Sequence, residues 1–359
     1  MEPTRRRALI NAGIAAGAAL LIGFAIIAFS RGRENDRNIS LTPPASLGPN
    51  SGSSPGTNKP TTPRAYLAWV PTGLPPGFAA GAAKLSYFDR VTVVLQDEIW
   101  LLRSTDDAGK TVKAPAPFAI PIDAAGIVPA RFASFLPQPY RATVADLGPN
   151  EGILSETSAA LRRIGVGGTL TFKGGTVKIV AVLPDVLVGA QELVVDASTG
   201  RSLGVHTSRY LLMHARDGAS PTDAQLRPKL LRLLPAGMQY PAVQVRAPGE
   251  TTYLRSADLV LPQEDIKARF GEWAGRPAPG NPGFLQIDPA WIQNNITTTT
   301  VPILGRVTCN KRLIPALRAA MEQLANEGDT GVVHDYEGCF VAKFLLNDPS
   351  ASISHHAWG

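Results

Sequence analysis

The side chains with the clearest capacity for chemistry stand together in Ser354-His355-His356-Ala357-Trp358-Gly359. An imidazole is a common metal ligand, and its ordinary pKa lies close to neutrality. A His-His pair alone specifies no metal site, because a catalytic metal takes about three protein ligands. No Ser-His-Asp arrangement is visible, so Ser354 reads as a loop support and not as a nucleophile. His206 and His214 lack companions at metal-ligand spacing and read as ordinary surface or core histidines. Gly165, Gly167 and Gly168 follow an expected helix and precede an expected strand. A dinucleotide-binding loop needs the reverse order, so these read as turn glycines. Cys309 and Cys339 do not form a Cys-x-x-Cys pair. They imply one disulfide in an exported protein, or two free thiols otherwise.

The elements that must position these residues occupy 359 residues, enough for two domains and a tail. The net charge of +6 fits nucleic acid, an anionic membrane surface or anionic wall polymers. No Lys/Arg block exceeds three residues and aromatics are sparse, which argues against nucleic acid as a partner. Arg5-Arg6-Arg7 precede an apolar run, Ala8 to Ser30, whose 23 residues suffice to cross a bilayer as a helix. Residues 1–33 therefore read as a basic tail and transmembrane anchor, with Ala28-Phe29-Ser30 leaving a cleaved signal as the alternative. Arginines flank both ends of the run, and the short N-terminal tail favours an extracytoplasmic bulk. Residues 34–64, rich in Pro, Gly, Ser and Thr, read as a flexible linker.

Residues 65–277 read as an α+β domain with a mostly antiparallel sheet. Val91 to Leu95 and Ile99 to Leu102 predict two strands. Ser155 predicts a helix N-cap, with the helix running to Ile164 and Gly165 as its stop. Thr169–Lys173 and Thr176–Val182, joined by Gly174-Gly175, predict a hairpin. Further strands are expected at Glu192–Asp196 and Tyr210–His214, and helices at Pro228–Leu234 and Gln263–Trp273. The pattern resembles extracytoplasmic domains of bacterial permease-type transporters at the level of fold. Gly275 to Gly283 reads as an interdomain linker. Beyond it, Leu313, Leu317, Ala320, Met321 and Leu324 form a helical apolar stripe that Gly328 ends. Thr330 to Val333 reads as a strand.

The order of helix, strand, Cys339 and Ser354-x-His356-x-x-Gly359 resembles the VanY-like D-alanyl-D-alanine carboxypeptidase and L-alanyl-D-glutamate endopeptidase family of zinc peptidases. The likeness runs from Ile287-Asp288-Pro289-Ala290-Trp291-Ile292 through Val301-Pro302-Ile303-Leu304-Gly305 to Gly359. It implies a fold class of α+β throughout, with residues 285–359 as the front part of a zinc-peptidase domain, C-terminally truncated. It implies zinc as cofactor and His356 as one metal ligand. The Asp and second His of the family set are missing from the sequence. Lys343 stands where the family places a basic side chain for the oxyanion, usually Arg. Ser354 and Gly359 would support the motif, and a Cys309–Cys339 disulfide would tie the helix to the strand before it.

The resemblance thus implies a membrane-anchored extracytoplasmic peptide hydrolase acting on peptidoglycan stem peptide, inactive as these 359 residues. A non-catalytic cell-envelope binding or scaffolding protein, with the α+β region as its working part, is the alternative. A transporter-associated domain is a third reading.

Overall fold

A computed structural model describes residues 62–359 except 239–240 and 257–259, and these described residues belong to one compact unit. The expected transmembrane run, Ala8 to Ser30, lies outside the described residues. Among those described, no helix is long and apolar enough to cross a membrane.

The chain opens with β1 (Tyr66–Trp69), α1 (Phe78–Ala83), β2 (Phe88–Thr105), β3 (Thr111–Lys113) and β4 (Ile120–Ile127). Then come α2 (Pro129–Ala133), α3 (Gln138–Ala145), β5 (Glu151–Ser155), α4 (Glu156–Arg162), β6 (Thr169–Phe172), β7 (Gly175–Leu183) and β8 (Leu193–Asp196). They are followed by α5 (Ala197–Leu203), β9 (Ser208–Ala215), α6 (Asp223–Leu231), β10 (Gln244–Arg246) and α7 (Gln263–Phe270). Strands β1 to β10 join one sheet in the order β10-β1-β9-β2-β4-β8-β5-β7-β6, with β3 also on β2. Because β6 pairs back onto β2, six strands close a ring; β1, β9 and β10 extend beyond it, and β3 lies outside it on β2.

The α+β class and the mostly antiparallel sheet are as the sequence predicts. Two parallel pairings, β4 with β8 and β5 with β7, were not expected. The two strands expected at 91–95 and 99–102 are one strand, β2, of 18 residues. Its first half pairs with β9, its middle with β4 and its last residues with β6.

Alternation along the ring strands sorts their side chains into two cores. Leu154, Leu193, Val195, Ile122, Val177 and Leu170 form one cluster. Their neighbours Ile153, Val194, Ala125 and Ile127 point the other way and meet Phe132, Leu136 and Val144 of the α2–α3 layer. Burying each such side chain stabilises by roughly 1.5–3 kcal/mol. Helices α1 and α6 cover the sheet extension through Phe78, Ala82, Leu226 and Leu230. Ser155 caps α4 by accepting from Ser158 N. That helix ends at Arg163, in the left-handed region at φ 53°, and not at Gly165. Helix α6 begins five residues before the expected Pro228, at a capping box of Thr222 and Gln225.

The expected linker at 275–283 is instead a hairpin of β11 (Gly275–Ala278) and β12 (Asn281–Ile287). After it come α8 (Pro289–Asn295), a second hairpin of β13 (Ile296–Val301) and β14 (Gly305–Asn310), and α9 (Ile314–Glu327). Helix α9 ends at Gly328 in the left-handed conformation, as predicted. Residues 330–332 form a 3-10 turn in place of the expected strand. Trp273, Trp291, Ile287, Phe344 and Trp358 build a separate aromatic core.

Candidate functional site

Three polar residues of β2 and one of β4 begin the site. Between its apolar halves β2 carries Gln96-Asp97-Glu98, and the register sets Glu98 directly opposite Asp123. Asp123 is buried and accepts from Gln96 Nε2 at 2.9 Å and from Arg255 Nη2 at 2.6 Å. Arg255 also donates from Nη1 to the Ala190 carbonyl at 2.9 Å. Asp97 accepts from the backbone N–H groups of His206 and Thr207, both at 2.7 Å. Arg209 lies 3.4 Å from the same carboxylate. The partly buried Glu98 accepts from Ile353 N at 2.7 Å. Burial, with Asp123 and Glu192 nearby, pushes its carboxyl up to about 8, against the opposing pull of the Ile353 N–H and the Lys267 cation.

These side chains line a cleft of about 550 Å³. Trp69 to Pro71 and the exposed pair Val260 and Leu261 form further parts of its wall. Leu345 and Ser352 to His356 close the side opposite β2. That segment is held by an isolated bridge between Phe344 and Ile353, and by Ser354 N donating to the Lys343 carbonyl at 3.0 Å.

Beneath the cleft lies a buried ionic network. Glu192 accepts from Gln263 Nε2 at 2.9 Å, from Lys267 Nζ at 2.7 and 2.9 Å, and from Arg162. It also accepts from Asp123 N at 3.1 Å, which links network and cleft. Glu272 adds ion pairs to Arg162 at 3.0 Å and to Lys113. Burial alone would push the Glu192 carboxyl up; the Lys267 and Arg162 cations outweigh it and hold it at about 2. The neighbouring Glu264 is fully buried, accepts from Ser155 Oγ, and is pushed up to about 9 by burial and the Asp185 charge.

The structure brings Ser354, His355 and His356 to the cleft wall but does not gather a metal site around them. His356 Nδ1 lies 2.9 Å from the Cys339 carbonyl. Among the described residues, no group of three or more His, Cys, Asp or Glu side chains is arranged to hold a metal ion. The residues present therefore do not fit the zinc that the resemblance implied. Lys343 is not among the cleft residues; its backbone bridges Phe284. Gly359, at φ 93°, packs against Asn310, where a Cβ would come within 2.5 Å of the backbone nitrogen. Trp358 is buried against Trp273 at 5.1 Å and belongs to the core. The Cys309–Cys339 disulfide is present, with the two Cα atoms 4.9 Å apart. Gln96, Asp123, Arg255 and Glu192 went unnoticed in the sequence. The one signal was the acidic interruption, Gln96-Asp97-Glu98, between two apolar runs that form a single strand.

No protein-family model matches the chain, and no curated protein matches it. Among solved structures it is similar to the periplasmic region of MacB from Actinobacillus actinomycetemcomitans, at 15% identity and a TM-score of 0.34. That match covers 51% of this chain and 88% of the other. It is also similar to the extracellular domain of the noncanonic ABC-type transporter YknZ from Gram-positive bacteria, at 14% identity and a TM-score of 0.32. Here 51% of this chain and 98% of the other are covered. Both matched structures are extracytoplasmic parts of their own proteins. The zinc-peptidase assignment is corrected accordingly. Among the described residues, the metal ligands that the assignment requires do not converge. The hydrolase reading and the catalytic role given to Lys343 fall with it.

Proposed function

We propose that the folded part acts outside the cytoplasmic membrane as a non-catalytic binding module of the cell envelope, with the cleft as its receptor site. The observation that carries this reading is the state of the cleft's charges. Asp123 is committed to Arg255 and Gln96, Asp97 to two backbone N–H groups and Arg209, and Glu98 to Ile353 N. A wall whose polar groups already have partners recognises a ligand by shape and hydrogen bonding. The disulfide supports an oxidising, extracytoplasmic setting. The apolar run Ala8 to Ser30 would anchor the module to the membrane, and residues 34–64 would space it from the surface. In this reading residues 65–277 supply one wall of the cleft and residues 285–359 the other.

Two partners are in view: the peptidoglycan stem peptide expected from the sequence, and a transporter permease subunit, since both matched structures come from transporters. A photoreactive residue at Leu261 of the full chain, expressed in bacterial membranes, separates them. Light should give an adduct from Leu261 and none from the exposed Val166, and its mass identifies wall peptide or permease. Equal adducts at both positions, or none, would sink the proposal.

A further inference from the structure

A second cavity, of about 500 Å³, has a different character from the cleft. Its lining is apolar: Trp100 and Leu102 from β2, Phe118 from the stretch before β4, Phe172 from β6 and Leu203 from α5. Leu102 keeps 44% of its surface exposed there. Leaving that apolar area in water is unfavourable by about 25 cal/mol for each Å², so the groove favours an apolar occupant.

The charged residues of the groove are Lys173, Arg276 and Glu98. Lys173 makes no ion pair among the described residues. The Arg276 guanidinium lies 5.6 Å from the centre of the Phe118 ring, and its Nε donates to the Gln286 side-chain oxygen at 2.9 Å. Among the described residues no carboxylate answers its charge. Glu98 reaches Ile353 N in the cleft, and with its carboxyl pushed up to about 8 it is largely uncharged at neutral pH. The groove is therefore an apolar floor with two uncompensated cations, whereas the cleft has matched charges of both signs.

We infer that this groove binds a single-chain anionic amphiphile, an alkyl chain ending in a carboxylate. The chain lies on Trp100, Leu102, Phe118 and Phe172, and the carboxylate is held by Lys173 and Arg276. Charge complementarity selects this occupant. An uncharged alkane leaves both cations unanswered, and an alkylammonium meets two like charges. The volume falls within the roughly 300–1,000 Å³ typical of small-molecule sites. A guanidinium stacked on an aromatic ring keeps its edge N–H groups free for a carboxylate. Long cationic side chains also lay their methylenes along an alkyl chain while the charge stays at the water boundary.

Photolabelling of the full-length protein, followed by peptide mapping, tests this with the location resolved. The probes are a C12 carboxylic acid and a C12 amine, each carrying a diazirine in the chain. The acid should label peptides containing Trp100–Leu102, Phe118 and Leu203, and the amine should label them at least about tenfold less. The double variant Lys173→Glu/Arg276→Glu, whose two sites are exposed, should lose about tenfold in groove labelling by the acid. Labelling elsewhere should not change. Leu102→Asn is a second check, since it places a neutral polar amide on the apolar floor and should reduce labelling with the fold unchanged by circular dichroism. Equal labelling by acid and amine, absence of label from these peptides, or no effect of charge reversal would each overturn the inference.

Discussion

The ring of β-strands and the stapled lobe from β13 to the disulfide are held together in opposite ways. The ring buries two apolar layers and, together with α7, four ionised side chains, Arg162, Glu192, Lys267 and Glu272, with the partly exposed Lys113 paired to Glu272. Glu192, Arg162 and Lys267 have essentially no exposed side-chain surface. The lobe buries little. No side chain of α9 is fully buried, and the buried part of the cluster under it is Val301, Val307 and Cys309. One region depends on dense packing and mutual charge satisfaction, the other on a covalent tie. The difference teaches where each is brittle: the ring fails when one partner of a buried pair is removed, the lobe when its closure is cut.

Breaking the ring should give the largest effect. Glu192→Gln leaves the buried Lys267 and Arg162 with Glu272 as their remaining anion, and should destabilise by about 3–5 kcal/mol in denaturant unfolding. A loss below about 1 kcal/mol would mean the network is not what closes this end. Cutting the staple comes next. Cys309→Ser with Cys339→Ser should cost about 2–4 kcal/mol. Hydrogen exchange should quicken in β13, β14 and α9 while the amides of β4 and β8 stay protected. Loss of protection in the ring as well would erase the contrast.

The third prediction concerns pH. The Glu264 carboxyl is raised from 4.5 to about 9, so the folded state keeps its proton while the unfolded state releases it. The stability this gives is full below 4.5 and is lost as pH rises to about 9. Glu264→Gln should remove this slope, about 1 kcal/mol for each pH unit within the window, and so stabilise the alkaline side. Glu192, held at about 2, has the opposite sign: its contribution is present above 4.5 and is lost as pH falls toward 2. Melting curves from pH 3 to 9 separate the two. An unchanged alkaline slope in Glu264→Gln would show that Glu264 ionises freely. The smallest effect is expected from Thr222→Ala, which removes the capping box of α6 and should cost about 1 kcal/mol without touching ring or lobe.

Local rules were legible where the cause was local. Ser155 as N-cap, Gly328 as C-terminal stop and the hairpin between β6 and β7 were read from residues adjacent in sequence. The cleft was not, because its groups come from five distant stretches: Gln96–Glu98, Asp123, Arg209, Arg255 and Ser352–His356. Tertiary folding brings Arg255, from the stretch between β10 and α7, to Asp123 across 132 positions of sequence. The polar stretch Gln96-Asp97-Glu98 misled for the same reason. It looks like a break between strands, yet cross-strand partners and Ile353 N take up its hydrogen bonds and the strand runs on. The terminal Ser-x-His-x-x-Gly pattern misled in the other direction, since a spacing that matches a motif does not bring ligands together.

The length of β2 has a mechanical consequence. One continuous strand belongs to the closed ring through β4 and β6 and to the open extension through β9. Force applied to the extension reaches the ring along a single backbone, with the hydrogen bonds of each ladder loaded together in shear and not peeled one at a time. Gln96, Asp97 and Glu98 sit on that backbone in the β4 ladder, just past the end of the β9 ladder. A pull on β9 is thus a pull on the cleft floor, and tension there would be felt at Asp123 and Ile353 before any strand separates.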